Sequence, residues 1–147
     1  MGENLDKNII DFIKKEQILS LSTVTDNKPH SCNCFYAYDV ENNWLICTSE
    51  YETKHIQDLK INNYVSGTIY RVKKIFGVVA GIQFNAYMRE AKDEELKRAK
   101  KVFYGRYPHL RAHPAPLWII DLTYIKFTHN KLLGFGKKLI WQKENSQ

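Results

Sequence analysis

From residue 17 to residue 141 the chain is a succession of short β-prone runs broken by turn-forming clusters, and that punctuation limits the folds open to it. Residues 17–25 carry Ile18, Leu19, Leu21, Thr23 and Val24, a composition suited to a strand. Asp26-Asn27-Lys28-Pro29 has the composition of a turn. Residues 30–39 then read as a second strand, with Cys32, Cys34, Tyr36 and Tyr38 on one face and Asn33, Phe35 and Ala37 on the other. Glu41-Asn42-Asn43 returns the chain into Trp44-Leu45-Ile46-Cys47, so the first three strands are expected to form an antiparallel meander. Further strands are expected at 64–70, 76–89, 117–122, 125–128 and 139–141. Gly77 and Gly81 mark a bend or close backbone approach in the longest of these.

Helices frame the strands. Leu5, Ile9, Phe12 and Ile13 recur at helical spacing over residues 5–16. Ile56 and Leu59 suit one face of a short helix that stops near Asn62-Asn63. Asp93 is expected to cap a third helix, with Glu94 and Glu95 at its positive end and Leu96, Ala99, Val102 and Phe103 as its apolar stripe. Pro108, Pro114 and Pro116 enclose a stiff loop that holds His109, Arg111 and His113. Gly134-Phe135-Gly136 bends the chain before the last strand. Hairpin-linked short strands with peripheral helices argue for a mainly β, α+β fold built on a small barrel.

At 147 residues the chain is expected to form a single domain, 1–147, large enough for a core without staples. The longest apolar run, residues 76–84, contains two glycines and falls short of a membrane span, so no membrane partner is expected. A polar, acidic start carries no secretory signal, which points to the cytoplasm. A net charge of +6 favours anionic ligands. The lysines are not interleaved with stacking aromatics, however, and nucleic acid is not an expected partner. The three cysteines read as reduced thiols. His30, Cys32 and Cys34 share a strand face, but structural zinc sites gather ligands across turns and no second ligand pair follows, so no metal is expected.

Cys47-Thr48-Ser49-Glu50-Tyr51-Glu52-Thr53-Lys54-His55 carries the chain from a strand into a helix through hydroxyls and a lysine. Free N–H groups at a helix start, together with the helix dipole, favour an anion there. Thr53 can offer its hydroxyl and Lys54 a full positive charge. The competing reading is a plain helix cap beside a solvated lysine.

The order of these elements resembles the pyridoxamine-phosphate-oxidase-like split barrels that bind FMN. The resemblance rests on Leu-Ser-Thr-Val-Thr-Asp-Asn-Lys-Pro-His in the first hairpin, the Thr-Ser and Thr-Lys-His of the strand-to-helix passage, and Gly81-Ile82-Gln83. Trp118 to Leu122, and Ile125-Lys126-Phe127-Thr128 through Leu133-Gly134-Phe135-Gly136-Lys137-Lys138, are closer to the YhbP-like branch. The resemblance implies a six-stranded antiparallel Greek-key split β-barrel that binds FMN as a homodimer. It places the FMN phosphate at Asn33, Thr48, Thr53 and Lys54, and the flavin against Phe35, Cys47 and Gln83. Asn33 stands where the oxidases have an arginine, which removes a bidentate phosphate fork. Their closing Arg-Leu-His-Asp-Arg run is absent too, which argues against pyridoxamine phosphate as substrate.

Two functions follow. One is FMN-dependent hydride transfer on a small substrate, with the chemistry belonging to the cofactor, since no nucleophile or acid–base dyad stands out. The alternative is a non-catalytic carrier of flavin, haem or another anionic ligand, for which the loop with His109 and His113 offers imidazoles. His55, one residue into its helix, reads as a surface residue. Tyr36, Tyr38 and Trp118 are candidates for the dimer interface.

Overall fold

A computed structural model describes residues 5–71 and 79–144. The elements are α1 (Lys7–Lys15), β1 (Ile18–Thr25), β2 (Lys28–Phe35), β3 (Ala37–Asp39), β4 (Trp44–Thr48), α2 (Lys54–Ile61), β5 (Tyr64–Tyr70), β6 (Ala80–Glu90), α3 (Asp93–Arg106), β7 (Leu117–His129), α4 (Asn130–Leu133) and β8 (Lys138–Gln142). A 3-10 turn, Pro108–Ala112, links α3 to the extended passage before β7. The part of the expected strand at 76–89 that precedes Val79, Gly77 included, lies outside the described residues.

The strands form one antiparallel sheet in the order β2-β1-β5-β6-β7-β4-β3, with β8 added to β7. Its two ends, β2 and β3, are separated in the chain by Tyr36 alone. A sheet whose ends are joined by one residue must curl upon itself, and this gives a barrel with a seam. Tyr36 marks that seam: its N–H donates to Gln17 O at 3.0 Å and its buried hydroxyl donates to Ile13 O at 2.7 Å.

The expected strand at 30–39 is therefore bent. Tyr36 and Ala37, neighbours in sequence, are both buried, which a straight strand does not allow. Before the bend the chain pairs with β1; after it, with β4. Conversely, 117–122 and 125–128 are one strand. Asn85 faces Tyr124 and Ala86 faces Leu122, so Thr123 is the extra residue of a bulge. Its hydroxyl donates to Asn85 O at 3.1 Å. Among the described residues the sheet has eight strands rather than six.

Local sequence chemistry explains much of this. Asp26 and Asn27 have φ of 52° and 58°, the left-handed pair required by the tight hairpin between β1 and β2. In α1 the Asp6 carboxylate accepts from Asn8 N at 2.8 Å, and Ile9, Phe12 and Ile13 are buried. The third helix departs from expectation at its start, where Lys92 is the cap residue and makes no side-chain cap bond.

Two apolar clusters result. The barrel interior joins Leu19, Leu21, Leu45, Ile69, Phe84 and Phe127, and α1 and α2 add Phe12 and Ile56 to it. A second cluster, with Phe103 and Tyr107 of the α3 region against Ile46 and Ile119, lies between α3 and β4/β7. Full burial of a side chain such as Phe103 contributes roughly 2–3 kcal/mol. Tyr36 and Trp118 are buried within the chain and Tyr38 is packed against the barrel core, so these three do not form an exposed patch. Among the described residues no helix is long and apolar enough to cross a membrane.

Candidate functional site

The passage from β4 into α2 is fastened by several hydrogen bonds. Ser49 N donates to Pro116 O at 3.3 Å, and the Trp118 indole N–H donates to Ser49 O at 2.9 Å. Gln57 Nε2 donates to Tyr51 O at 2.6 Å, and the Tyr51 hydroxyl donates to Glu90. Thr48 Oγ1 donates to Pro116 O at 3.1 Å. These bonds hold Ser49, Thr53 and Lys54 at the start of α2.

Thr53 is the backbone cap residue of α2 but makes no side-chain cap bond; its hydroxyl donates to Glu50 O at 2.9 Å. The N–H groups of the helix's first turn have no partner inside the helix, so an anion can take them. Lys54 pairs with Asp58 one turn on, while its side chain stays 58% exposed. Asp58 itself is buried and accepts from Thr23 Oγ1 at 3.0 Å, which pins α2 to β1. The Lys54 ammonium, helped by the Thr25 and Thr23 hydroxyls, outweighs burial and holds the Asp58 carboxyl below the usual carboxylate range. The expected solvated lysine is thus half engaged, one face on Asp58 and the other open.

The residues expected at the site divide into two groups. Cys47, Thr48, Thr53 and Lys54 lie at the passage into α2, with Cys47 fully buried. Asn33, Phe35 and Gln83 are exposed on the outer face of the sheet. Asn33 pairs with Ser20, Ser20 with Thr68, Thr68 with Gln83 and Gln83 with Lys126, so one polar row crosses β2, β1, β5, β6 and β7. Ser20 Oγ and Thr68 Oγ1 are 2.8 Å apart within it. Asn33 does not meet Lys54, because its neighbours Cys32 and Cys34 take the face of β2 that turns towards α2.

On that inner face the chain assembles a group that the spacing did not reveal. His55 is 9% exposed rather than a surface residue. Its Nε2 lies 2.8 Å from Ser49 Oγ and 3.5 Å from Thr53 Oγ1. The Cys32 and Cys34 sulfurs are 4.0 Å apart, and a nitrogen of His55 and both sulfurs lie within 4.8 Å of one another. The bond to Cys34 and burial push the Cys32 thiol up, with His55 opposing. The bond to Cys32 pulls the Cys34 thiol down, but Cys47 and burial outweigh it, leaving it pushed up to about 12. Both thiols therefore stay protonated near neutral pH. The available signal was on α2: His55 precedes Asp58 and Leu59 by one helical turn, and the face shared with those residues is the buried one.

No family model matches the chain. UPF0306 protein YE0465 of Yersinia enterocolitica is 33% identical over 136 residues, 92% of this chain and 92% of that protein. UPF0306 protein YhbP of Escherichia coli is 32% identical over 132 residues, 90% of this chain and 94% of the relative. Among solved structures, a heme binding protein from Mycobacterium smegmatis superposes with a TM-score of 0.75 at 12% identity, covering 89% of this chain and 55% of that one. An FAD binding protein from the same organism gives 0.68 at 17% identity, covering 85% of this chain and 96% of the other. The curled antiparallel sheet with its seam at Tyr36 shares the fold of these structures, and relatives that match nearly end to end place the chain in the UPF0306, YhbP-like family.

Proposed function

We propose that the protein binds FMN and serves as an oxidoreductase on a small substrate. The observation that carries this reading is the start of α2. There, uncapped N–H groups, the Ser49 hydroxyl and the open side of Lys54 offer a phosphate both hydrogen bonds and charge. A structural neighbour that is an FAD binding protein supports a flavin as the bearer of that phosphate. Bound FMN would supply hydride acceptance and donation, while the chain supplies binding and orientation.

Because Asn33, Phe35 and Gln83 face away from Lys54, a second copy is needed to bring an outer-face row to the start of α2, and we take the working unit to be a homodimer. Exposed Ile18 and Phe35, paired across β1 and β2, and Tyr70 of β5 offer apolar area for that contact.

The test is a titration of FMN fluorescence at fixed moderate salt. Lys54→Ala should weaken binding about ten- to a hundred-fold, the size of one charge-assisted hydrogen bond, while Lys60→Ala at the far end of α2 leaves it unchanged. Because Lys54 also neutralises buried Asp58, melting of the flavin-free variants separates lost fold from lost affinity. Equal binding by both variants would move the phosphate elsewhere, first to Lys137 and Lys138. A haem carrier is the second reading, favoured by the heme binding neighbour with a TM-score of 0.75. A Soret band in the purified protein, in place of flavin absorption, would decide for it.

A further inference from the structure

We propose that Cys32, Cys34 and His55 form a binding site for a soft metal ion of the Zn2+ or Cu+ class. Thiolate and imidazole are the donors such ions select, and carboxylate-preferring ions such as Mg2+ or Ca2+ find no oxygen cage here. Spacing along the cysteines' own strand offers only His30. Folding supplies a different imidazole, from α2, and turns a strand pair of thiols into a three-donor group.

The distances fit an ion with little rearrangement. A metal bound to two sulfurs at ~2.3 Å holds them ~3.8–4.0 Å apart for tetrahedral to trigonal angles. Cys32 and Cys34 already stand at 4.0 Å. The imidazole needs to close by about 1 Å at most to reach its own bond length. Ser49, 2.8 Å from Nε2, restricts the orientation of the ring. Cys32 is only partly buried and gives an ion a way in.

A disulfide is the obvious rival, and strand geometry disfavours it. Two residues apart on an extended strand puts the Cα atoms ~6.6–6.8 Å apart, at the far limit for such a bond. A bridging ion demands no such approach. On binding, each thiol releases its proton to solvent and donates a lone pair from the resulting thiolate, with no change in oxidation state.

The two sites share no ligand and meet only at Ser49, so a metal titration run without FMN distinguishes failure of this site from failure of flavin binding. The test titrates the full-length reduced chain anaerobically with Co2+, read by thiolate-to-cobalt charge-transfer absorption, and then displaces the cobalt with Zn2+. One equivalent should bind with the intensity of two thiolates. Cys32→Ser, Cys34→Ser and His55→Ala should weaken Zn2+ binding on the order of 100-fold or more, beyond the loss typical of an outer-shell partner. His30→Ala should bind as the parent does. No charge-transfer absorption, or binding lost in His30→Ala and kept in His55→Ala, overturns the site. Should the variants misfold, iodoacetamide alkylation of the parent chain decides: Zn2+ should slow reaction at Cys32 about tenfold or more, and an unchanged rate overturns the proposal.

Discussion

At the scale of single residues, the sharpest constraint is Gly67 at the centre of β5. A Cβ there would lie 2.2 Å from Ser20 O and 2.4 Å from Phe84 Cζ. The Phe84 ring of the facing strand occupies the space a side chain would need, and the carbonyl belongs to a paired strand that cannot withdraw. Gly67→Ala should therefore cost about 3 kcal/mol or more, a fall in Tm of roughly 10 °C for a chain of this size. A melt within two degrees or so of the parent would show that the sheet yields there. Sequence alone does not single out this glycine, because its partner Phe84 is 17 residues away on the next strand and only the folded sheet brings the two together. His55 escaped for the same reason. A helical position next to a lysine looks solvated until α2 is laid over β1 and β2, and its burial is a property of that contact.

Among the elements, α3 is tied to the barrel through the turn after β3. Asp39 is buried and receives Arg98 in a two-pronged bond, Nε to Oδ2 at 2.8 Å and Nη2 to Oδ1 at 2.7 Å. The same carboxylate accepts from Glu41 N and Asn42 N, which closes the turn into β4. Burial pushes the Asp39 carboxyl up, but Arg98 and Asn42 outweigh it and hold the group below its usual range. Glu95, gripped by Arg89, is lowered likewise. A carboxyl depressed on folding stabilises the fold fully above its unfolded value, near 4, and loses that contribution as pH falls through the folded value. Asp39→Asn should thus lower stability at pH 7 by about 3 kcal/mol and flatten its decline below pH 4. Urea unfolding across pH 7 to 3 checks this; parallel curves for parent and variant would show that the pair is not coupled to folding.

Local patterns made most of these elements legible. The helical spacing of Ile9, Phe12 and Ile13, the Asp26-Asn27 turn and the alternation in β5 each reflect chemistry within a few residues. What was not legible depended on partners elsewhere. The bend at Tyr36 exists because β2 and β3 pair with different strands, and the continuity of β7 exists because a bulge absorbs Thr123. The resemblance implied seven site residues; Cys47 and Thr48 end β4, and Thr53 and Lys54 follow at the start of α2. It could not tell that Asn33 turns away, since the face of β2 that meets α2 is settled only by packing.

For the molecule as a whole, the barrel carries two features that look in different directions, the start of α2 with Lys54 and a polar row on the outer sheet face. In the proposed reading flavin binding and dimerisation are one claim: the copy that covers the outer face would also complete the site. Native mass spectrometry of freshly purified protein addresses both in a single reading. The account predicts a species of two chains carrying two FMN molecules, which loses flavin and dimer together as the charge state is raised. A flavin-free monomer that remains so with excess FMN at micromolar protein concentration would contradict it.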